Sequence, residues 1–336
     1  MRAAILVTML VASCFAVSTR ASAAEPYAFT VIHFPRTVKA GPIAGVDRRG
    51  DIAGVGYETG NDYPDCMYFD GTTLLDLTPN SGNWCHFTGM NSHGVAVGQY
   101  YDFNRYLNLA VLYQGGKLST IDRVIDSFLA FDDKSLAVAN RTVDGFAVYD
   151  VPTRSIAFDL YDQEGQCAMS FPFAINDAGI VLGEDQCVAG QTRYETVADG
   201  TFSYFRLPQG FSLSTNARQG AAFNNRGEVA LGKTGSGHVF LWSTSQEVPP
   251  HDLGTLAADP NGVYTLTALS DDMAAGTTSD GYSWIWTQRD GMRDLSTLVR
   301  HNALGWIQPQ ALDAEGDIAC SVANNAFVWV YLRARR

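Results

Sequence analysis

The sequence predicts an all-β fold: a seven-bladed β-propeller of four-stranded antiparallel blades, whose last blade is closed by an N-terminal strand. A Gly/Ala–apolar–Asp/Asn/Ser triplet occurs seven times, the same order of strands and turns follows each copy, and the last repeat lacks a strand that the start of the chain supplies. Repeats of about 40–50 residues are typical of arrays such as propellers. The polar residues that end the triplets are Asp47, Asn91, Asp132, Asn176, Asn224, Ser270 and Asp313, spaced by 44, 41, 44, 48, 46 and 43 residues.

Each repeat has the pattern of a four-stranded antiparallel meander. The inner strand ends in the triplet, and in most repeats the turn after it closes with glycine, as at Gly50 and Gly94. Asp or Asn at the first position and Gly at the fourth fit a type I turn. An apolar second strand, an aromatic third strand, a hairpin turn and a short fourth strand follow. We place one propeller at residues 25–336, with blades that start near residues 43, 86, 128, 171, 219, 265 and 309.

The two ends of the chain predict how the ring closes. The seventh repeat runs through Phe327-Val328-Trp329-Val330 and stops at Arg336 without a fourth strand. A spare strand, Phe29-Thr30-Val31-Ile32-His33-Phe34, lies at about residues 27–35, before the first repeat. Pairing this strand with the last blade removes the exposed sheet edges that an open ring would have.

The first 24 residues have the layout of a secretory signal peptide. Arg2 precedes an apolar run over residues 3–17, and an A-x-A cleavage site follows at residues 21–23. We predict a Sec-type signal peptide at residues 1–24 and a secreted or periplasmic protein. The less favoured alternative is a lipoprotein anchored at Cys14, which follows Val11-Ala12-Ser13. No later stretch reaches 18 uninterrupted apolar residues, so no membrane span is predicted.

Composition and charge restrict the classes of partner. The chain has 336 residues, of which 17% are charged and 32 are glycine, which suits many short strands joined by tight turns. The formal net charge is −12, and it becomes −14 without residues 1–24, which contain two arginines and no acid. A chain this acidic without a basic block repels nucleic acids and anionic membranes. We expect a monomer whose partner is a glycan or an extracytoplasmic protein.

Four segments match a known repeat pattern. His238-Val239-Phe240-Leu241-Trp242 is followed by Asp252-Leu253-Gly254-Thr255-Leu256. These two segments resemble the His-Ala-Phe-Leu-Trp core and the Asp-Leu-Gly-Thr-Leu ending of the HAF-repeat family of extracellular proteins. Asn176-Asp177-Ala178-Gly179-Ile180-Val181 resembles the family's Ile-Asn-x-x-Gly-x-Val turn, and Asp294-Leu295-Ser296-Thr297-Leu298 is a variant of the ending. The resemblance implies an exported bacterial repeat protein of undefined activity, and it brings no catalytic residues with it.

The five cysteines after the signal peptide predict two disulfides. In a four-stranded blade, the loop between strands two and three opens on the same face as the loop that enters the next blade. This topology pairs Cys66 with Cys85 and Cys167 with Cys187, and export permits both bonds. Cys320 takes the place of a glycine that ends the second strand, so we expect it to be buried. Close Cys/His spacing is missing, so no metal site is predicted.

No catalytic motif is present. The sequence contains no Gly-x-Ser-x-Gly, no His-Glu-x-x-His and no phosphate-binding glycine loop, and it predicts no catalytic residue and no cofactor. The six histidines are scattered over different repeats. Acids such as Asp76, Asp252 and Asp294 recur at the end of the fourth strand, so repeat geometry explains them better than acid catalysis does.

Two long loops contain residues that the repeat does not explain. The second loops of repeats one and two are rich in tyrosine interleaved with Asp, Asn and Arg. Aromatic rings with polar groups beside them suit a sugar or a peptide. The alternative is that these rings pack one loop against the other. The candidate binding residues are Tyr57, Asp62, Tyr63, Tyr100, Tyr101, Phe103 and Tyr106.

These observations favour an exported binding protein that uses its loop-rich face for a glycan or a protein. The first alternative is a polysaccharide hydrolase or lyase with acids and tyrosines around the central channel. The second is a structural envelope protein. Fold alone does not decide among them.

Overall fold

The computed structural model describes residues 27–60, 63–78, 82–121, 124–142, 145–160, 169, 171–188, 191–213, 223–245, 248–299, 306–323 and 327–335. The predicted signal peptide, Asp62 and Cys167 lie outside these residues, as does the side chain of Cys187.

The chain forms seven four-stranded antiparallel sheets, which confirms the predicted fold class. Each blade follows the chain from its innermost to its outermost strand. Blade 1 contains β2 (Val38–Val46), β3 (Ile52–Glu58), β4 (Pro64–Phe69) and β5 (Leu74–Asp76), and blade 2 contains β6 (Trp84–Met90), β7 (Ala96–Asp102), β8 (Leu107–Gln114) and β9 (Lys117–Thr120). Blade 3 contains β10 (Ile125–Phe131), β11 (Leu136–Arg141), β12 (Phe146–Asp150) and β13 (Ser155–Asp159).

The remaining blades repeat this order. Blade 4 contains β14 (Phe171–Ile175), β15 (Val181–Val188), β16 (Gln191–Ala198) and β17 (Thr201–Phe205). Blade 5 contains β18 (Phe211–Leu213), β19 (Glu228–Lys233), β20 (Val239–Ser243) and β21 (His251–Asp252). Blade 6 contains β22 (Tyr264–Leu269), β23 (Met273–Thr278), β24 (Ser283–Thr287) and β25 (Gly291–Asp294), and a 3-10 turn follows at Leu295–Leu298.

The N-terminal strand closes the ring, as predicted. Blade 7 contains β26 (Ile307–Leu312), β27 (Ile318–Val322) and β28 (Val328–Ala334), and its outermost strand is β1 (Tyr27–His33). The antiparallel register runs without a shift from Tyr27 opposite Ala334 to His33 opposite Val328. Both ends of the described chain therefore lie in one blade.

The hydrophobic core consists of layers between neighbouring blades. Seven clusters of buried residues each join two blades that are adjacent in the ring. Side chains on a strand alternate between the two faces of a sheet. In β28, Val328, Val330 and Leu332 pack towards blade 6, whereas Trp329 and Tyr331 pack towards blade 1. Each blade thus buries both of its faces only because it has two neighbours.

The triplet residues cap the turns between the first and second strands, and we call the end of the propeller that carries these turns the turn face. The Oδ1 atom of Asp47 accepts hydrogen bonds from the backbone nitrogens of Arg49 and Asp51, each at 2.9 Å. The fourth turn residue adopts positive φ, +90° at Gly50 and +67° at Ser135, which replaces glycine in blade 3. Capping and left-handed backbone together form the predicted type I turn.

A belt of hydrogen bonds links these turns from blade to blade. The backbone nitrogen after the triplet donates to the side chain at the same position of the next blade: Ser92 to Asp133 (2.6 Å), Asp133 to Asp177 (2.9 Å), Asp177 to Asn225 (2.7 Å) and Asn225 to Asp271 (2.8 Å). We call these five residues the turn belt. It covers the four junctions from blade 2 to blade 6.

In blade 1 the corresponding residue is an arginine that bridges two other blades. Nε of Arg48 lies 3.2 Å from Oε1 of Glu315 in blade 7, and Nη2 of Arg48 lies 3.9 Å from Oδ2 of Asp133 in blade 3. The Arg48 side chain thus joins blade 1 both to the turn belt, at Asp133, and to blade 7.

Candidate functional site

The loops that follow the second and fourth strands lie at the end opposite the turn face. We call this end the loop face; in blades 1 and 2 its described residues are 57–60, 63–65, 76–78, 82–84 and 100–107. Antiparallel pairing places the end of β3, the start of β4, the end of β5 and the start of β6 together here.

The predicted Cys66–Cys85 disulfide is present on the loop face. It joins β4 of blade 1 to β6 of blade 2, with a Cα–Cα distance of 5.0 Å and a sequence separation of 19. Both cysteines are fully buried, and Cys320 is a buried free thiol, as expected. The predicted Cys167–Cys187 pair falls on atoms outside the described part of the chain. The Cys66–Cys85 disulfide fixes the second loop of blade 1 relative to the start of blade 2.

Removing this disulfide is expected to destabilise the domain. Closing a loop of this length restricts the unfolded chain by about 3 kcal/mol in the chain-entropy treatment. We expect the double variant Cys66→Ala/Cys85→Ala to unfold at a temperature lower by on the order of 5 °C, measured by circular dichroism without reductant. Cys320→Ala is the matched control, because it removes a buried thiol without breaking the bond. An unchanged melting temperature in the double variant would contradict this expectation.

An aromatic cluster, Tyr63, Trp84, Tyr101 and Phe103, spans the two loops. The ring centroids of Tyr63 and Phe103 are 4.8 Å apart, those of Phe103 and Tyr101 are 4.6 Å apart, and those of Tyr101 and Trp84 are 6.2 Å apart. These tilted and edge-on geometries are the ones that aromatic rings favour. Blade 1 supplies one ring and blade 2 supplies three, so the cluster lies across the junction that the disulfide braces.

The hairpin formed by β7 and β8 of blade 2 is longer than the sequence predicts. Tyr100 and Tyr101 lie within β7 rather than in a loop, and only residues 103–106 form the turn. Tyrosine suits a pleated strand, and alternation sends these two rings to opposite faces. The hydroxyl of Tyr100 accepts a hydrogen bond from Nδ2 of Asn83 at 2.6 Å, and Oδ1 of Asn83 accepts one from the backbone nitrogen of Phe103 at 2.9 Å.

Two of the predicted tyrosines have substantial exposure. Tyr106 is 79% exposed and Tyr63 is 44% exposed, although Tyr63 also contacts the aromatic cluster. Tyr57 lies elsewhere, because its ring covers Gly41, where a Cβ atom would lie only 2.6 Å from a ring carbon. The cluster thus contains the loop-to-loop packing that the sequence left as an alternative, and it also leaves accessible aromatic surface.

A carboxylate triad, Glu58, Asp65 and Asp76, lies on the same face of blade 1. One carboxylate oxygen from each residue lies within 4.8 Å of the other two. Thr78 orders two of them: its Oγ1 donates to Oδ1 of Asp65 at 3.1 Å, and its backbone nitrogen donates to Oδ1 of Asp76 at 3.0 Å. The sequence did not predict this grouping, because its members belong to three different strands or strand ends.

Burial and neighbouring carboxylates raise the pKa values of two members of the triad, Asp65 and Asp76. Burial, with a smaller contribution from the charge of Asp76, raises the pKa of Asp65 to about 6, although the Thr78 hydrogen bond opposes this. Burial also raises the pKa of Asp76. Carboxylates that share a site in this way either hold a proton between them or bind a divalent cation through their oxygens.

The other repeated acids have structural partners. Oδ1 of Asp252 accepts from the backbone nitrogen of Gly254, and Oδ1 of Asp294 accepts from that of Ser296, each at 2.8 Å. Asp76 makes the same turn through Thr78. Nδ1 of His238 lies 2.9 Å from Oδ2 of Asp252. These hydrogen bonds give the repeated acids a structural role in the turns after the fourth strands.

Within the described residues, no helix is long and apolar enough to cross a membrane.

Solved structures that resemble this one support the fold alone, because their sequence identity is low. The β-propeller domain of the Trilobed protease from Pyrococcus furiosus, which has an open velcro topology, superposes with a TM-score of 0.56 at 9% identity over 88% of this chain and 98% of that chain. Oligogalacturonate lyase in complex with manganese gives 0.54 at 11% identity, over 93% of this chain and 97% of that chain. Acylaminoacyl peptidase gives 0.52 at 11% identity, over 90% of this chain but only 54% of that chain.

No protein-family model and no curated protein matches the sequence. The fold places the chain in the class of seven-bladed β-propellers. The HAF-repeat resemblance stays a prediction.

Proposed function

We propose that this protein is an exported bacterial binding module that holds a glycan on the loop face of blades 1 and 2. The observation that carries the proposal is the position of Tyr63 and Tyr106, two exposed rings on loops that the Cys66–Cys85 disulfide braces. Rigid aromatic surface with polar groups nearby gives contact area at a low cost in conformational entropy.

The chemistry of the neighbouring groups favours a hydroxyl-rich ligand. The carboxylate triad offers acceptors to sugar hydroxyls, and the exposed rings offer apolar surface to the C–H face of a pyranose. The chain's net charge of −12 disfavours a polyanion. Neutral saccharides therefore fit this face better than acidic ones do.

Export is part of the proposal. The residues before Tyr27 have a secretory layout, the HAF-repeat resemblance implies an extracellular protein, and a buried disulfide persists best in an oxidising compartment.

The proposal is tested with the double variant Tyr63→Ala/Tyr106→Ala. Binding is measured by affinity electrophoresis in gels that contain neutral polysaccharides, and by calorimetry with hexasaccharides of glucose, xylose, mannose and N-acetylglucosamine. We expect a loss of affinity of about ten-fold or more, which corresponds to about 1.4 kcal/mol. Tyr204→Ala is the matched control, since Tyr204 is an equally exposed tyrosine (46%) on the outermost strand of blade 4. Unchanged affinity in the double variant, or binding to no saccharide, would count against the proposal.

The second candidate is a polysaccharide hydrolase or lyase, and the raised pKa of Asp65 favours it. An acid with a pKa of about 6 beside two further carboxylates matches the pairing of proton donor and carboxylate that glycan cleavage uses. Under this alternative, Asp65→Asn slows release of reducing ends or unsaturated products by on the order of 100-fold while binding persists. Absence of any product from the native protein would exclude it.

A further inference from the structure

We infer that blades 6 and 7 carry a second saccharide site, built on the exposed indole of Trp306. The inference rests on the proposed function for its class of ligand, and it adds a contact that the sequence did not indicate. The site, which we call the tryptophan platform, consists of Val263, Tyr282 and Trp306 over Gly281. It lies on the loop face, because it combines the second loop of blade 6 with the segments that enter blades 6 and 7.

The indole rests directly on a tight turn. The turn of residues 278–282 is closed by hydrogen bonds from the backbone nitrogen of Gly281 to the carbonyl of Thr278 at 3.0 Å, and from that of Thr278 to the carbonyl of Tyr282 at 2.8 Å. Gly281 has φ of +88°, and a side chain there would collide with three atoms of the six-membered ring of Trp306. Glycine is therefore required both by the backbone and by the approach of the ring.

Two hydrogen bonds hold the backbone at Trp306 and Ile307. The carbonyl of Trp306 accepts a hydrogen bond from the backbone nitrogen of Ala323 at 2.7 Å, which ties it to the end of β27. The next carbonyl, that of Ile307, accepts from Oγ of Ser283 at the start of β24. These bonds anchor the start of blade 7 to the end of β27 and to β24 of blade 6, which fixes the backbone from which the indole projects.

The platform is exposed, unlike the other tryptophans. Trp306 is 58% exposed, whereas Trp284, Trp286 and Trp329 are buried, and Trp84 and Trp242 are partly buried. All six tryptophans of the chain lie in its described part. Leaving a large apolar ring in water forgoes a favourable burial, and packing on Gly281 recovers only part of it. Exposed apolar side chains grouped at one turn, as here, are typical of ligand-binding surfaces.

The surroundings of the ring indicate a sugar rather than an apolar partner. Val263 is 56% exposed and Tyr282 is 40% exposed. The exposed Ser279 links the two segments of the platform, since its backbone nitrogen donates to the carbonyl of Val263 at 2.9 Å. Oγ of Ser279 lies 3.4 Å from Oδ1 of Asp280, which is also exposed. A flat apolar face edged by a hydroxyl, a phenol and a carboxylate matches the alternating C–H and O–H surface of a neutral pyranose.

The position in the ring links the two sites. Both sites lie on the loop face. Blade 7, which carries part of the platform, contacts blade 1, which carries part of the aromatic cluster. Two weak sites on one rigid scaffold raise the affinity for a polymer that reaches both, because the second contact becomes intramolecular. We therefore expect long glycans to bind more tightly than short ones.

The test uses the full-length chain and the indole's own fluorescence. Hexasaccharides of glucose, xylose, mannose and N-acetylglucosamine, and the corresponding polysaccharides, are titrated while tryptophan emission and acrylamide quenching are followed. We expect one of these saccharides to shift the emission to shorter wavelength and to protect the exposed indole from acrylamide. Trp306→Ala should remove this signal and weaken hexasaccharide binding about ten-fold, while Trp306→Phe retains part of the binding. Because Trp306 is exposed, neither substitution should change the melting temperature.

The outcomes separate this inference from the proposed function. If Tyr63→Ala/Tyr106→Ala abolishes binding and Trp306→Ala leaves both affinity and protection unchanged, the platform is refuted and the first site stands. If Trp306→Ala removes the fluorescence signal while the tyrosine variant binds normally, the platform stands and the first site falls. If no saccharide protects the indole, or only an added protein does, the inference is overturned.

Discussion

Deletion of residues 25–36 is expected to destabilise the entire propeller. The deletion removes β1, whose seven residues pair with β28 along its whole length. Tyr27, Ile32 and Phe34 are buried in two different inter-blade layers, and burial of three such side chains contributes about 6 kcal/mol. That contribution is comparable to the whole stability of a typical domain, which is about 5–15 kcal/mol.

The loss would extend beyond blade 7. Phe34 packs edge-on against Trp329, with ring centroids 4.8 Å apart, and Trp329 in turn belongs to the layer between blades 7 and 1. Without β1, the second edge of β28 is unpaired and open to other chains. We expect either aggregation or a melting temperature lowered by more than 10 °C, followed by circular dichroism and light scattering. Deletion of residues 1–24 alone is the control and should leave the transition in place. A full deletion that melts at the original temperature would show that β1 does not close the ring.

Asp132→Asn is expected to stabilise the protein at neutral pH, by as much as about 4 kcal/mol. In blades 2, 4 and 5 the triplet ends in Asn, and its Nδ2 donates to the next blade, for example from Asn176 to the carbonyl of Asn224 at 3.1 Å. Oδ1 of Asp132 accepts from the backbone nitrogen of Leu136 at 2.7 Å, and the Asp or Asn that ends the triplet makes the same bond in blades 1, 2, 4, 5 and 7. Its Oδ2 is buried and accepts no hydrogen bond from the described residues. This oxygen occupies the place where the repeat has a donor.

The buried position of the Asp132 carboxyl also makes the stability of the protein depend on pH. Burial, with the nearby charges of Asp177 and Asp133, raises the pKa of Asp132 to about 7, against the backbone hydrogen bonds that lower it. The unfolded carboxyl titrates near pH 4, at about 3.9. The folded state therefore binds more protons between pH 4 and 7, and stability falls as the pH rises through that window. Burial likewise raises the pKa of Asp313 in blade 7 to about 6, so its effect has the same sign.

Denaturant unfolding at pH 4, 5.5 and 7 measures this effect. We expect the stability gained by Asp132→Asn to be small at pH 4 and to grow by at most about 1.4 kcal/mol for each pH unit. Asp133→Asn makes the same change of charge at the adjacent, more accessible residue of the turn belt, where an amide oxygen can still accept. Its gain at pH 7 should be the smaller one, because the charge of Asp133 contributes less to the raised pKa of Asp132 than burial does. Equal gains for Asp132→Asn at all three pH values would contradict the titration of a buried carboxyl.

The architecture was predictable from the repeat, because the repeat can be recognised in the sequence without knowledge of long-range contacts. Triplets, turn glycines and aromatic strands recur at fixed positions, so blade number, strand order and the closing strand follow from counting. The Cys66–Cys85 bond was also predictable, because strand topology alone brings those two positions to one face. The extension of the β7–β8 hairpin through Tyr100 and Tyr101 was not predictable, since tyrosine is compatible with both loops and strands.

The residues that distinguish the candidate sites depend on contacts between distant segments. Asp65 and Asp76 have the appearance of ordinary strand-end acids, and only the sheet register brings them beside Glu58. Trp306 gives no signal in the sequence, because aromatic residues in this chain are mostly core. Its exposure results from how a turn in blade 6 meets the first strand of blade 7, which no repeat consensus specifies.

The closing pair of strands also determines how the propeller responds to force. Tyr27, at the start of β1, lies opposite Ala334, at the end of β28, so the two ends of the described chain leave from the same end of one ladder. Tension between them loads the first hydrogen bonds of the ladder before the others, which then open in succession rather than sharing the load. The pair of strands that stabilises the ring against heat is therefore loaded in an unzipping geometry when the two ends are pulled apart.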